Sequence, residues 1–202
     1  MCFGKYSLIF SIFSNQIFRI LQLMKRKNQK IVITGAPGSG KTSLIELLLH
    51  KGYICFPEVS REITMEARKK GVNQLFLHDP IAFSSQVIEK RRIHFVTASD
   101  SENVFFDRGM HDVIAYQNFL KSDYPNSFDE ICKRYRYDCV FILPPWKKIF
   151  TTDDIRYESF DQAQSIHQHL INTYTYFSMT PKLVPFGSLE ERFAYIEQQL
   201  KL

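Results

Sequence analysis

The sequence predicts an α/β domain, a parallel sheet with helices on both faces. Three observations predict it. Short apolar runs rich in β-branched or aromatic residues alternate with stretches of helical periodicity. The first run, Lys30-Ile31-Val32-Ile33-Thr34, leads directly into Gly35-Ala36-Pro37-Gly38-Ser39-Gly40-Lys41-Thr42, the pattern G-x-x-x-x-G-K-[ST], after which Leu44, Leu47 and Leu48 recur at helical spacing. A later run, Asn103-Val104-Phe105-Phe106-Asp107-Arg108-Gly109, carries an acid where a strand's carboxyl end would face the ligand crevice of an open sheet.

The elements follow in order. Residues 1–23 read as an extension outside the core, and residues 24–202 as one domain. The apolar segment Tyr6–Leu23 is interrupted by Ser11, Ser14, Asn15, Gln16 and Arg19, which makes it a poor membrane span, and it lacks a secretory cleavage site. Two readings of it stand. Phe10, Phe13, Ile17, Ile20 and Met24 share one helical face, followed by Lys25, Arg26 and Lys27, as in an interfacial helix that would touch a membrane. Alternatively, translation starts at Met24 and the segment is dispensable. The second is favoured, because the first strand begins within a few residues of Met24.

Gly52 is a stop for the helix that follows the glycine-rich motif. Tyr53–Phe56 reads as the second strand, ended by Pro57, and a helix runs from Glu58 to about Lys70 with Gly71 as its cap. Val72 to Asp79 reads as loop. Pro80 starts a long helix carrying Phe83, Val87, Ile88 and Phe95. After the Val104–Asp107 strand come helices from His111 to about Lys121 and from Phe128 to Tyr135. Asp138–Leu143 is the fourth strand, and Trp146–Tyr157 is a polar stretch of the kind that often forms lids. Ala163, Ile166, Leu170 and Phe177 mark another helix, and Lys182–Pro185 a fifth strand. Ser188-Leu189-Glu190-Glu191 is a capping box that opens the last helix.

The chemistry sits in the glycine-rich motif. A loop that wraps main-chain N–H groups around a polyphosphate cannot carry Cβ atoms at every position, and Gly35, Gly38 and Gly40 remove them. The binding set is Gly35, Ala36, Pro37, Gly38, Ser39, Gly40, Lys41, Thr42 and Ser43. Lys41 can reach the β- and γ-phosphates, and the Thr42 hydroxyl can ligate Mg²⁺. The following helix adds free N–H groups and a dipole suited to an anion.

The net charge of +5 suits anionic ligands such as nucleotides and is too modest to argue for nucleic acid, for which no recognition motif is present. The four cysteines make no metal spacing and read as reduced thiols of a cytoplasmic protein. His167 and His169 face different sides of a helix and make no metal pair, and His111 reads as a solvated histidine. Lys90, Arg91 and Arg92 read as a solvated helix face, and Asp112 as structural.

With these residues in view, the chain resembles the P-loop kinase group of NTPases. More narrowly, it is similar to the AAA-domain ATPases grouped with the nicotinamide riboside kinase domain of the bacterial NAD-biosynthesis regulator. Four pieces carry the match: Gly35–Thr42, Pro57-Glu58-Val59-Ser60-Arg61, Phe105–Gly109, and Trp146 with Asp153-Asp154-Ile155-Arg156-Tyr157. The resemblance spans about residues 28–200. It implies a three-layer fold with a five-stranded sheet in the order 2-3-1-4-5. It also implies Mg²⁺-ATP as cofactor and a nucleoside- or nucleotide-like acceptor. Asp107 would act on the metal ion with Thr42, and Glu58 would take the proton of the acceptor hydroxyl. Arg108 would contact acceptor or transferring phosphate, and Arg156 would close over the phosphoryl group. Each has a plainer alternative: a helix-start acid for Glu58, a salt bridge to Asp107 or Glu58 for Arg108, and a surface arginine for Arg156. Arg61 reads either as a substrate contact or as solvated. The Phe186-Gly187-Ser188 turn is where such kinases pack the base. A nucleotide-dependent hydrolase or switch with no phosphate acceptor is the competing function. No guanine-specific N/T-K-x-D motif is found, so ATP is preferred over GTP. The oligomeric state is not legible.

Overall fold

The structure, a computed structural model, describes residues 28–69, 71–72, 79–150 and 158–201. Five strands form one parallel sheet in the order β2-β3-β1-β4-β5. They are β1 (Lys30–Gly35), β2 (Ile54–Phe56), β3 (Val104–Asp107), β4 (Cys139–Leu143) and β5 (Lys182–Leu183). Among the described residues there are seven helices: α1 (Lys41–His50), α2 (Val59–Lys69), α3 (Pro80–Thr97), α4 (His111–Leu120), α5 (Asn126–Arg134), α6 (Phe160–Tyr176) and α7 (Leu189–Leu200). The expected strand order is the observed one.

The strands' two-residue period divides the core. Ile31, Ile33, Phe105, Phe141 and Leu143 point to one face, where they meet Leu44 and Leu48 of α1 and Phe193 and Ile196 of α7. Val32, Phe106, Val140 and Ile142 point to the other, against α2 to α6. Both faces of the central strands are therefore buried, which is why they read as continuous apolar runs. β2 is an edge strand, so Cys55 is only half-buried there, whereas Cys132 and Cys139 are buried; all three are free thiols.

Helix ends follow the expected chemistry. Gly52 and Gly71 have φ of 88° and 80°, the left-handed conformation of a C-terminal stop. Asp79 caps α3, accepting from the Ala82 amide at 2.9 Å, with Pro80 in the first turn. The Ser188–Glu191 capping box is present, and Ser159–Gln162 makes a second one at α6. Boundaries differ by a residue or two. β5 stops at Leu183 instead of Pro185, since proline has no N–H to donate to a ladder. The fifth helix begins at Asn126, directly after Pro125, two residues earlier than its apolar pattern suggests. Residues 1–23, read as an extension outside the core, lie outside the described residues, so neither reading of them is tested. No helix of the described residues is long and apolar enough to cross a membrane.

Candidate active site

β1 ends at Gly35, and the chain turns through Ala36–Gly40 into α1. Gly38 and Gly40 have φ of 72° and 74°, a conformation costly for residues with a Cβ. Gly35 needs glycine for want of room for a Cβ and not for its backbone conformation. Its φ is not positive, but a Cβ there would lie 2.7 Å from the Leu143 carbonyl and from Ser39 Oγ. Ala36 and Ser39 are buried, while Thr42 and Ser43 are exposed. No side chain caps the start of α1, so its first amides face outward without a side-chain acceptor. A bare main-chain cradle leading into an uncapped helix N-terminus is what an anion requires.

The β1–β3 register pairs Ile33 with Asp107, which brings the acid that ends β3 beside the start of the loop. The Lys41 ammonium and the Asp107 carboxylate form a salt bridge, each side chain about nine-tenths buried. Burial and the neighbouring Arg108 charge pull the Lys41 pKa below its ordinary value, against the opposing pull of Asp107 and Glu58. The pair satisfies two charges that would be expensive to bury singly.

Glu58, in the turn between β2 and α2, is the centre of a second cluster. It pairs with Arg108 Nε and, at 2.8 Å, with Arg91 Nη2. It also accepts from the Ser60 amide at 3.2 Å and the Ser60 hydroxyl at 3.0 Å. Burial alone would raise the Glu58 pKa, but Arg108, Arg91 and Lys41 outweigh it and hold the carboxyl far below its usual range.

Arg108 has φ of 72°, a left-handed conformation unusual for a side-chain-bearing residue. The fold holds it there: its amide donates to the Ile33 carbonyl at 3.0 Å and its Nη1 to the Gly35 carbonyl at 3.2 Å. Its guanidinium thus spans from the cradle to Glu58. Asp112 is buried, accepting from the Gly109 amide at 3.0 Å, the Tyr174 hydroxyl at 2.6 Å and the Thr34 hydroxyl. It is structural, as expected.

Two expectations are corrected, and one residue is added. Arg91 is not solvated: it is 4% exposed and donates to Glu58 and to the Gly109 carbonyl at 2.9 Å. It lies four residues after Val87 and four before Phe95, so helical phase alone places it on the buried face. His111 is fully buried, with Nε2 at 3.1 Å from the Cys132 carbonyl and its ring packed against Tyr137, Tyr174 and Phe177. Arg192, which no sequence feature singled out, reaches the cradle from α7 and donates to the Ser39 carbonyl at 2.6 Å. Arg61 is exposed. Arg156 lies outside the described residues. Beyond β4 and β5, Trp146 and Phe186 pack with ring centroids 5.4 Å apart, near the turn expected to receive a base.

No cluster of three or more His, Cys, Asp or Glu that could cage a metal occurs among the described residues. One carboxylate and one hydroxyl, Asp107 and Thr42, fit Mg²⁺, which takes few protein ligands and completes its shell with phosphate oxygens and water.

A family model described as an AAA domain matches residues 30–192. No curated protein matches the sequence. Among solved structures, the chain is similar to the NadR protein in complex with NR, at 14% identity and a TM-score of 0.65, over 87% of this chain and 52% of that one. It is similar to thymidylate kinase from Ehrlichia chaffeensis at 17% identity and a TM-score of 0.61, over 86% and 99% of the two chains. Deoxyadenosine kinase from M. mycoides, with products dCMP and a flexible dCDP bound, gives 17% and 0.60, over 85% and 98%. These likenesses describe the fold.

Proposed function

This chain belongs to the AAA-domain family, and from that premise we propose that it is a kinase that transfers the γ-phosphate of Mg²⁺-ATP to a hydroxyl of a small, nucleoside-like acceptor. The observation that carries the reading is the place of the buried Glu58 carboxylate beside the cradle: Arg108, in the ion pair that is its own plainer alternative, links Glu58 to the Gly35 carbonyl. A carboxylate fixed beside the phosphate loop can orient an incoming nucleophile, and the acceptor screen below decides whether that nucleophile is a hydroxyl or water.

The loop amides and Lys41 hold the β- and γ-phosphates. Magnesium bound with the triphosphate would be held by Thr42 and Asp107, and supplies neutralisation of the phosphate oxygens. Lys41 exchanges its carboxylate partner for phosphate oxygens as nucleotide enters. Glu58 accepts a hydrogen bond from the acceptor hydroxyl and orients its oxygen in line with the γ-phosphorus. The new O–P bond forms as the bond to the β-phosphate bridging oxygen breaks, and the hydroxyl proton passes to Glu58. Transfer of this kind is loose, so a carboxylate of low basicity is sufficient. Arg108 stabilises charge on the transferring group, and Arg156, assigned from the sequence resemblance, adds a second guanidinium.

Charge pairing supports a neutral acceptor. Among the described residues, Lys41, Arg91 and Arg108 each already face a carboxylate, so an acceptor phosphate would have to draw an arginine from Glu58 or use the exposed Arg61, and a neutral acceptor would not. The test is a screen of ATP with nucleosides and nucleoside monophosphates, read by phosphorus NMR. One nucleoside that accelerates ATP consumption and appears phosphorylated supports the reading. Uniform slow hydrolysis with every acceptor overturns it in favour of a hydrolase.

A further inference from the structure

Arg192 is 5% exposed and lies on the apolar face of α7 beside Phe193 and Ile196. A buried guanidinium is costly unless its donors and charge are answered. Here the answer is partial. Nη2 donates to the Ser39 carbonyl at 2.6 Å, across 153 positions of sequence. Nη1 lies 2.8 Å from where a Cβ on Gly40 would stand. Nε has no hydrogen-bond partner among the described residues. Lys41, Arg91 and Arg108 are each paired with a carboxylate; Arg192 has no such partner among the described residues.

Ser39 and Gly40 share one peptide unit. Its carbonyl points out of the cradle to Arg192, and in a loop of this type the amides point in, toward phosphate. A hydrogen bond to a carbonyl polarises the N–H of the same peptide and makes it a stronger donor. We propose that Arg192 is a positioning residue for the phosphate loop: from outside the cradle it fixes the Ser39–Gly40 peptide, strengthens the Gly40 amide as a donor, and supplies an unneutralised positive charge behind the bound polyphosphate. α7, the last of the described elements, is thereby part of the nucleotide site without touching nucleotide. This also gives Gly40 a second reason to be glycine, since any side chain there would meet the guanidinium.

The inference rests on the nucleotide reading above, and the experiment separates the two. The full chain and its R192K and R192M forms are titrated calorimetrically with a magnesium complex of a non-hydrolysable ATP analogue and with magnesium tripolyphosphate. The Gly40 amide resonance is followed in ¹⁵N-labelled protein. If the unaltered chain binds neither probe, the nucleotide reading fails. If it binds, R192M is expected to weaken both probes by about tenfold or more, the scale of one charge-assisted hydrogen bond. R192K is expected to recover part of that loss, and the Gly40 proton to move upfield in R192M. Binding of both probes by R192M within twofold of the unaltered chain overturns the proposal. Should R192M fail to fold, R192K decides: unchanged affinity together with an unchanged Gly40 resonance overturns it, and a loss of affinity with a shifted resonance supports it.

Discussion

Arg91 donates to Glu58 at 2.8 Å and to the Gly109 carbonyl at 2.9 Å, so one guanidinium of α3 ties the end of β2 to the turn after β3. Removing it leaves Glu58 with Arg108 as its remaining arginine and strips the Gly109 carbonyl of a donor. Arg91→Met should cost about 3 kcal/mol of stability, the scale for breaking a buried pair. Glu58→Gln in the same chain should restore part of that loss. Urea unfolding of both single variants and the double variant gives the coupling directly. A coupling energy near zero would mean that the two groups do not depend on each other.

Glu58 also carries the proposed chemistry. Glu58→Gln keeps size and one acceptor oxygen but removes the charge, and should lower turnover by about 10²-fold or more. ATP affinity should change less than turnover, because the loop amides and Lys41, and not Glu58, hold the phosphates. Steady-state kinetics with equilibrium ATP binding checks the split; equal losses in both would make Glu58 a binding residue only.

Arg108 stores backbone strain at φ 72°. Any replacement loses the guanidinium, but glycine also relieves the left-handed conformation and alanine does not. Arg108→Gly should therefore be more stable than Arg108→Ala by about 1 kcal/mol, the reverse of the usual order within regular elements. Thermal or urea unfolding of the two variants measures the difference.

His111 predicts a pH dependence. Burial drives its pKa down to about 4, with smaller opposing contributions from the Cys132 carbonyl and Asp112 and a small lowering from Arg136. The folded value is below the unfolded one, so the unfolded chain binds the extra proton between them. The stability tied to the neutral ring is present above about pH 6.5 and is lost as pH falls toward about 4. Unfolding free energy measured from pH 7 to pH 4 should fall, and His111→Phe should flatten that fall. An equal slope in the variant would assign the dependence to other groups, Glu58 foremost at the acid end.

The elements were legible because their signals are local. Ile31–Thr34 and Val140–Leu143 announce buried strands by unbroken apolar character, and Gly38, Gly40 and Lys41 announce the cradle by spacing. Asp107 was legible as the acid at a strand's end. The Arg108–Glu58 pair was legible as an alternative for Arg108, but Arg91 at Glu58 and Arg192 at Ser39 were not, because they arrive from α3 and α7 through tertiary packing. A buried arginine has the same composition signature as a surface one. Helical phase held a clue that charge obscured: Arg91 and Arg192 both stand on the apolar faces of their helices, Arg192 three residues after Leu189 and four before Ile196. His111 was misread for a related reason, since a neutral imidazole packs as an aromatic ring when its environment is apolar.

Lys41 is the group on which the account turns, because it faces both the cradle and Asp107. The most direct measurement is calorimetric titration of the chain and of Lys41→Ala with a magnesium complex of a non-hydrolysable ATP analogue, with circular dichroism to verify folding of both. The account predicts saturable binding to the unaltered chain and a loss of about 100-fold or more in the folded variant, the scale of a buried charge contact to phosphate. Equal affinity in the two proteins, or no binding to either, would contradict it.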